Sequence, residues 1–274
     1  MEGVARSAGG GLNQKGNTMK RFVFLLTTIF MCSISHAETF NQYWYVENNT
    51  PIQTTCETGG DITLPTAPTK YGYDFIGWEK LPYIPIEYLE STGTQYIDTG
   101  VVATNKTKAS IQFIVNSVSG YNGIFGAGNQ HNTGDSLILA DHGTSFVYYS
   151  AGANNITMPM SINYKYKCNI SVPQLDCLNV DTNKLAIVYS GRTTLAQTNR
   201  NLYIFVANTS NTDLAQKSKI KLYSVQIYDN DVLVRDLITV LDKNGVPCMY
   251  DKVEHKFYYN AGAGQFIAGP VIGE

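Results

Sequence analysis

Apolar and polar residues alternate along several short segments of the chain, with the two-residue period of a half-buried β-strand. From Ile162 to Ile170 every second residue is apolar or aromatic, and asparagine or lysine fills the positions between them. A register slip of one residue would bury both lysines of this segment, so its core-facing side is well determined. The segment Ala109–Asn116 alternates in the same way. Both segments are predicted to be strands that bury one face.

Further strand-like runs, separated by turn residues, fill the chain after residue 84. They are predicted at Ser136–Ala140, Ser145–Tyr149, Lys184–Tyr189, Leu202–Val206, Lys219–Tyr228 and Val232–Val240. Between the last two, Asp229, Asn230 and Asp231 have the composition of a tight hairpin turn. No segment keeps a helical period for more than two turns. We therefore expect an all-β fold, a two-sheet antiparallel sandwich.

Composition agrees with this expectation and narrows the possible partners. Of the 274 residues only 15% are charged, against about 25% in ordinary soluble domains. The 19 tyrosines and 24 glycines suit strands and tight turns. The net charge is −2 and no basic run follows the N-terminal region. Nucleic acid is therefore not expected as a partner, because nothing would neutralise a row of phosphates.

The N-terminal region has the three parts of a secretory signal peptide. Met19, Lys20 and Arg21 form the positive region, Phe22–Met31 the apolar core, and Ser35-His36-Ala37 the cleavage site. We predict a signal peptide over residues 19–37, cleaved between Ala37 and Glu38, and export to the cell envelope or beyond. Residues 1–18 are unusual ahead of such a segment, so translation is expected to begin at Met19. The apolar core is too short to span a bilayer, and no transmembrane segment is predicted elsewhere.

Four cysteines follow the predicted cleavage site: Cys56, Cys168, Cys177 and Cys248. An oxidising compartment permits disulfides among them. Cys168 and Cys177 flank a short turn-like stretch, which is compatible with a disulfide across a hairpin and equally with two small buried thiols. No Cys-x-x-Cys pair is present, so a zinc or redox site is disfavoured.

Residues 38–81 form a segment of their own that ends in a recognisable motif. From Pro65 to Trp78 the chain follows the pattern P-x-x-P-T-K-x-G-Y-x-F-x-G-W. This stretch resembles the closing half of the Listeria–Bacteroides (internalin-type B) repeat found on surface proteins. The resemblance implies a small β-rich module, for which Tyr73, Phe75 and Trp78 are expected to form a minimal core. So small a core is marginal by itself.

Three segments of residues 84–270 carry a second resemblance. They are Ile86–Gly100, Lys221–Leu237 and Gly245–Phe266. In this order they resemble the opening strand, the closing hairpin and the final strands of concanavalin A-like (laminin G-like) modules on bacterial and phage surface proteins. The resemblance implies a jelly-roll sandwich in which the first and last strands meet. It implies no particular ligand, since this fold hosts lectins, glycanases and protein-binding modules.

Two local features of these segments have physical interpretations of their own. Arg235 and Asp236 are adjacent in a predicted strand and so point to opposite faces, where each is expected to find its own cross-strand partner. Gly262 and Gly264 predict a turn before Phe266 re-enters the core.

The sequence lacks the usual catalytic patterns. Catalytic members of this fold class carry paired carboxylates in an E-x-D-x-x-E strand, which is absent here. After residue 80 the glutamates are Glu87, Glu90, Glu254 and Glu274. The histidines are scattered, with no His-Glu-x-x-His or Gly-x-Ser-x-Gly motif. We therefore expect no enzymatic activity.

No cofactor is predicted, and calcium is the metal worth considering. Calcium prefers hard oxygen ligands, and the candidate ligands are Asp98, Asp135 and Asp141. No EF-hand loop or repeated acidic motif accompanies them, so an essential metal is not expected.

Exposed aromatic side chains are the remaining candidates for ligand binding. Sugar rings stack on aromatic faces, while amide and carboxylate groups hydrogen-bond their hydroxyls. The candidate residues are Tyr121, Asn122, Asn129, Asn132, Tyr148 and Tyr149. The alternative is that these tyrosines are half-buried strand residues with a packing role. The favoured function is a secreted or cell-surface binding module for glycan, with a protein-binding adhesion or assembly module as the alternative and a glycan-cleaving enzyme third.

Overall fold

The computed structural model describes residues 26–27, 39–45, 51–58, 60–69, 71, 74–75, 77–78, 80–118, 120–128, 136–150, 156–172, 174–189, 198–209 and 217–272. The chain divides into two compact units, Pro85–Pro270 and the segments on either side of it. None of the described residues forms a helix, so this part of the chain offers no helical segment able to cross a membrane.

The smaller unit contains strands β1 (Leu26–Thr27), β2 (Thr39–Trp44) and β3 (Ile52–Glu57), which pair antiparallel in this order. Phe75 and Trp78 pack together as predicted, with ring centroids 5.3 Å apart. Their partner is Trp44 of β2, whose ring centroid lies 5.0 Å from that of Trp78. The sequence interpretation missed Trp44, and Tyr73 lies outside the described residues. The core of this unit thus joins its sheet to the motif-bearing segment.

The larger unit is built from short strands that follow one another closely. They are β4 (Ile84–Pro85, at the boundary), β5 (Leu89–Glu90), β6 (Ile97–Val102), β7 (Thr107–Ser117), β8 (Tyr121–Gly128), β9 (Ser136–His142), β10 (Ser145–Ser150), β11 (Ile156–Pro159), β12 (Lys165–Ser171), β13 (Gln174–Asn179), β14 (Lys184–Tyr189), β15 (Asn201–Ile204), β16 (Asn208–Thr209), β17 (Lys219–Asp229), β18 (Val232–Leu241), β19 (Pro247–Asp251), β20 (Lys256–Tyr258) and β21 (Ile267–Ala268). The predicted strands are all present, with ends shifted by a few residues at most positions.

These strands form two sheets. The smaller sheet has the order β11-β10-β9-β8-β15-β6, and β16 lies parallel to β8. The larger sheet has the order β14-β13-β12-β7-β17-β18-β19-β20, with β5 and β21 added beside β17. Neighbours along both paths are antiparallel. The unit is therefore an all-β, two-sheet antiparallel sandwich, as predicted.

The core lies between the two sheets. On β7 the predicted face is buried, because Ala109, Ile111, Phe113 and Val115 are at most 3% exposed. Phe113 meets Phe146 of the smaller sheet with ring centroids 5.7 Å apart. Burying a side chain of this size contributes about 1.5–3 kcal/mol. Aromatic contact across the layers is thus a main source of cohesion.

Strand β12 starts later than its alternating pattern predicts. Tyr166, Cys168 and Ile170 are buried, as expected. Ile162 and Tyr164 were predicted on the same face, but they are 46% and 40% exposed. The reason is a turn at Asn163, whose φ is +64°, a conformation that asparagine tolerates better than most residues. Inside the strand Cys168 pairs with Cys177 of β13, and their sulfur atoms are bonded.

The hairpin between β17 and β18 has the predicted tight turn. Asp229 pairs with Val232, and the two residues between them, Asn230 and Asp231, have φ values of +48° and +64°. Positive φ at both central positions is the type I′ geometry, which matches the twist of the flanking strands.

Arg235 and Asp236 of β18 have separate partners, as expected for adjacent residues of a strand. An Nη1 atom of Arg235 lies 2.7 Å from Glu254, and its Nε lies 3.6 Å from Asp251. Asp236 pairs with Lys252 at 2.8 Å on the other side. Both residues therefore have structural roles.

The first and last strands of the larger unit meet. In β21, Ile267 and Ala268 pair with Glu90 and Leu89 of β5. The buried Gln95 reinforces this closure, since its Nε2 donates to the Gln265 carbonyl at 2.8 Å. This closure agrees with the predicted jelly-roll arrangement.

Candidate functional site

A pair of tyrosines stands on the outer face of the smaller sheet, where β6 meets β15. Ile97 and Leu202 are fully buried, so their alternating neighbours Tyr96 and Tyr203 point away from the core. The two rings lie nearly parallel, with centroids 5.0 Å apart and planes inclined by 29°. Both side chains are half-buried. Together they form an ordered aromatic surface.

Polar side chains of β6, β15 and β16, and of Arg200 just before β15, form a hydrogen-bonded network beside Tyr203. Asp98 accepts hydrogen bonds from the Gly100 backbone N–H at 2.9 Å and from the Asn201 side chain at 3.2 Å. Asn208 donates to the Asn201 carbonyl at 2.9 Å and accepts a long bond from Arg200 at 3.4 Å. We call this group the Tyr96–Tyr203 site; it comprises Tyr96, Asp98, Arg200, Asn201, Tyr203 and Asn208.

The closing segment of the sandwich supports Tyr96 from its backbone side. Asn260 accepts from the Tyr96 N–H at 3.1 Å, and the Ala261 N–H donates to the Tyr96 carbonyl at 2.8 Å. A Cβ atom on Gly262 would lie 2.2 Å from the Thr94 carbonyl oxygen and 3.1 Å from the Tyr96 ring. Only glycine permits this approach, so the position of Tyr96 depends on Gly262.

The chain turns sharply just after Tyr203. The strand was predicted to extend to Val206 but ends at Ile204, because Phe205 has a φ of +71°. This conformation is unfavourable for a bulky residue. Burial of the Phe205 ring, whose centroid lies 4.8 Å from that of Phe266, compensates for it. The turn brings Asn208 back beside Asn201.

The Tyr203 hydroxyl is protonated at neutral pH, and its surroundings raise its pKa further. Partial burial raises its pKa above the usual 10.0, and the charges of Asp98 and Tyr96 raise it further, while Arg200 opposes them. At neutral pH the hydroxyl is therefore a hydrogen-bond donor as well as an acceptor.

A second tyrosine pair lies on the outer face of the larger sheet and differs in its surroundings. The rings of Tyr88 and Tyr223 meet edge to face, with centroids 5.8 Å apart. The ammonium of Lys165 lies 3.6 Å from the Tyr223 centroid, and that of Lys221 lies 4.6 Å from the Tyr88 centroid. These cation–π contacts occupy ring faces that a sugar would need.

The ligand-binding candidates from the sequence that the structure describes lie on β8 and β10 of the smaller sheet. Tyr121 stacks on His142, with centroids 3.9 Å apart. Asn122 is 4% exposed and donates to Asp141 at 2.8 Å, so its side chain faces the interior. The backbones of Tyr148 and Tyr149 pair with Leu139 and Ile138 in β9. Asn129 and Asn132 lie outside the described residues.

The three calcium candidates are not brought together among the described residues. Asp98 belongs to the Tyr96–Tyr203 site, and Asp135 lies outside the described part of the chain. Asp141 is fully buried, and burial raises the pKa of its carboxyl from 3.8 to about 7 despite the hydrogen bond from Asn122. No group of three or more His, Cys, Asp or Glu side chains that could hold a metal occurs in the described ranges.

The sequence interpretation named Asp98 but missed the tyrosines beside it. A signal was present, since Tyr96-Ile97-Asp98 and Asn201-Leu202-Tyr203 each alternate outward and inward residues. The pairing of β6 with β15 joins residues that are 103 positions apart, as in the contact between Asp98 and Asn201. Periodicity within a strand carries no information about such a pairing.

Comparisons with known proteins find similarity to solved structures. No family model matches the chain, and no curated protein matches it. Among solved structures, the chain is similar to a protein of Bacteroides ovatus ATCC 8483 whose name gives carbohydrate binding as a provisional function. The two are 10% identical with a TM-score of 0.46, and the match covers 88% of this chain and 70% of that one.

Proposed function

We propose that the Pro85–Pro270 unit is a non-catalytic glycan-binding module of a secreted or cell-surface protein. The observation that carries the proposal is the Tyr96–Tyr203 site, where two nearly parallel rings lie among carboxylate, amide and guanidinium groups. A sugar presents apolar C–H faces and a ring of hydroxyls. Aromatic surface matches the first, and fixed polar groups match the second.

The site is ordered before any ligand arrives, which favours binding. Hydrogen bonds hold Asp98, Asn201 and Asn208 in place, and the Gly262 backbone supports Tyr96. Side chains that are already immobilised lose little conformational entropy on binding.

The carboxylate content of the Tyr96–Tyr203 site is the reason for proposing binding without catalysis. Glycoside hydrolysis uses a pair of carboxyl groups on either side of the scissile bond. Asp98 is the carboxylate that the Tyr96–Tyr203 site contains, and both of its oxygens accept hydrogen bonds from the protein. This arrangement suits recognition of hydroxyls better than proton transfer.

Membership in the concanavalin A-like class and export are further parts of the proposal. The meeting of β5 with β21 supports the first. The signal-peptide pattern of residues 19–37 and the Cys168–Cys177 disulfide support the second, since disulfides persist in oxidising compartments.

The test is a glycan-array screen of the purified full chain, followed by calorimetric titration of the best ligand with two matched variants. Tyr203→Ala removes a ring of the site, whereas Tyr223→Ala removes a half-buried ring of the larger sheet. We expect Tyr203→Ala to weaken binding at least about tenfold, which is about 1.4 kcal/mol, and Tyr223→Ala to leave the affinity unchanged. Equal affinity of Tyr203→Ala and the parent, or an array on which no glycan binds, would overturn the proposal.

A further inference from the structure

Two cations lie at the Tyr96–Tyr203 site: Arg200, which belongs to it, and Lys217, which lies beside it. Lys217 places its ammonium 5.6 Å from the Tyr96 ring centroid, and Arg200 reaches Asn208. Within the described residues, no carboxylate oxygen lies within ion-pair distance of either group. Other cations of the described residues do have carboxylate partners, since Lys108, Lys252 and Arg235 each lie within 2.8 Å of one.

With Lys217 counted, two cations stand beside the one carboxylate of the site, so the local balance is positive, although the chain as a whole has a net charge of −2. Asp98 is the opposing charge, and its oxygens are occupied by Gly100 and Asn201. The charge of Arg200 acts on the Tyr203 hydroxyl, whose pKa it lowers against the effects of burial, Asp98 and Tyr96. In the structure Arg200 reaches Asn208, which is hydrogen-bonded to Asn201, two positions before Tyr203 in β15.

The backbone of Arg200 is anchored, and its guanidinium makes one hydrogen bond to the described residues. Its backbone N–H donates to the hydroxyl of Thr198 at 3.3 Å, and Thr198 is 4% exposed. Its Nη1 makes the long bond to Asn208, and most of its five N–H groups make no hydrogen bond within the part of the chain that the structure describes. A guanidinium with two parallel N–H groups matches the planar geometry of a carboxylate.

We infer that the Tyr96–Tyr203 site selects a sugar bearing a carboxylate, of the uronic acid type, and that Arg200 contacts this carboxylate while the tyrosines support the ring. The inference rests on the proposed glycan binding and adds the chemical class of the ligand. Lys217 adds favourable charge without a fixed geometry, because an ammonium is a point charge on a flexible stem.

The experiment compares each sugar chain with its own neutral counterpart. Oligosaccharides of galacturonic, glucuronic and mannuronic acid are titrated into the full chain in native form and after reduction of the carboxylates to primary alcohols. We expect at least one native form to bind ten or more times tighter than its reduced form. This difference is expected to shrink as salt is added, because screening weakens the charged contact.

Two variants separate the roles of the ring and the charge. Arg200→Gln is expected to weaken binding of the native form about tenfold and to change binding of the reduced form less than threefold. Tyr203→Ala should weaken both forms alike. Lys252→Gln, which removes a cation of the larger sheet, is the control and should change neither.

The outcomes distinguish the inferred carboxylate selectivity from the proposed glycan-binding function. If native and reduced forms bind equally, or if only neutral glycans bind in the array, the inferred selectivity is wrong and the glycan-binding function stands. If no glycan binds, both are wrong. If the native form is preferred but Arg200→Gln retains that preference, the assignment of the carboxylate contact to Arg200 is overturned.

Discussion

The two tyrosine pairs of the sandwich have the same composition and different surroundings. Tyr96 and Tyr203 lie on the smaller sheet, and Tyr88 and Tyr223 on the larger one; all four are half-buried. In the larger sheet lysine ammonium groups sit on the rings at 3.6 and 4.6 Å. In the smaller sheet the rings face each other, and the ammonium of Lys217 lies 5.6 Å from the Tyr96 centroid.

This comparison shows how a binding surface differs from a packing surface made of the same residues. A ring covered by a cation already makes its favourable contact and gains little from a ligand. A ring among hydrogen-bonding side chains can exchange water for sugar. The position of the ammonium groups, and not the number of tyrosines, separates the two surfaces.

The largest expected effect comes from substituting the glycine that packs against each tyrosine pair. A Cβ on Gly262 would lie 2.2 Å from the Thr94 carbonyl oxygen, a backbone atom that cannot move alone. We expect Gly262→Ala to lower the free energy of unfolding by at least about 4 kcal/mol and to abolish glycan binding, measured by denaturant titration and calorimetry.

Gly269 is the matched position behind the second pair. Its Cβ would lie 2.9 Å from the Tyr88 ring and backbone nitrogen, a milder overlap that we expect to cost about 2 kcal/mol. Gly269→Ala should leave glycan affinity unchanged. If both alanine variants lost binding equally, the two pairs would not be functionally distinct.

The next prediction concerns the pH dependence of stability. Asp141 lies on β9 of the smaller sheet, and its side chain is fully buried. Burial raises its carboxyl pKa from 3.8 to about 7, so the folded protein keeps a proton that the unfolded chain releases above about pH 4. The stabilising contribution is full below pH 4 and is lost as the pH rises through 7. Asp141→Asn should match the parent at pH 4 and exceed its stability by up to about 4 kcal/mol at pH 8.

Thermal unfolding between pH 4 and pH 8 measures this effect. The same variant also shows whether a pH dependence of glycan affinity comes from the titration of Asp141 or from the binding site. In Asp141→Asn any remaining dependence of glycan affinity on pH belongs to the site itself. Parallel stability curves for the parent and the variant would show that the Asp141 carboxyl titrates normally.

The disulfide gives the larger sheet a stabilising link away from the proposed site. Cys168 and Cys177 are nine positions apart, and closing a loop of this length in the unfolded chain contributes about 3 kcal/mol. The double substitution Cys168→Ala with Cys177→Ala should lower stability by about this amount and leave glycan affinity unchanged. A loss of affinity at temperatures where the variant is folded would contradict the assignment of binding to the smaller sheet.

The smallest expected effect comes from removing the two lysines that contact the rings of Tyr88 and Tyr223. Each cation–π contact at a partly exposed position is worth about 0.5–1 kcal/mol. The variant Lys165→Ala with Lys221→Ala should therefore lose about 1–2 kcal/mol of stability. It also uncovers the rings of Tyr88 and Tyr223, so the measurement of interest is a second, weak glycan-binding event in calorimetry. Its appearance would support the view that the ammonium groups prevent a sugar from reaching these ring faces.

Much of the fold was predictable because its signals are local. Alternation predicted the buried face of β7, and Asp229-Asn230-Asp231 predicted the turn after β17, since both depend on neighbouring residues. The error at Ile162 and Tyr164 has the same origin. Their alternation is perfect, but Asn163 adopts a left-handed turn conformation that ends the pattern.

The candidate site was much less predictable. Asn122 was named for its chemistry and lies buried against Asp141. Tyr96 and Tyr203 were not named, since the outward positions that alternation assigns to them are shared by other tyrosines of the chain. Their roles depend on neighbours that come from distant parts of the chain.

The sequence by itself determined the class of the fold and the facing of its strands, because the pleat repeats every two residues and turn residues have intrinsic φ preferences. Only the tertiary structure decided which strands became neighbours. It paired β6 with β15 and placed Gly262 behind Tyr96, across separations of more than 100 residues. Such pairings follow from the packing of two whole sheets, so the binding surface is a property of the folded layers rather than of any segment.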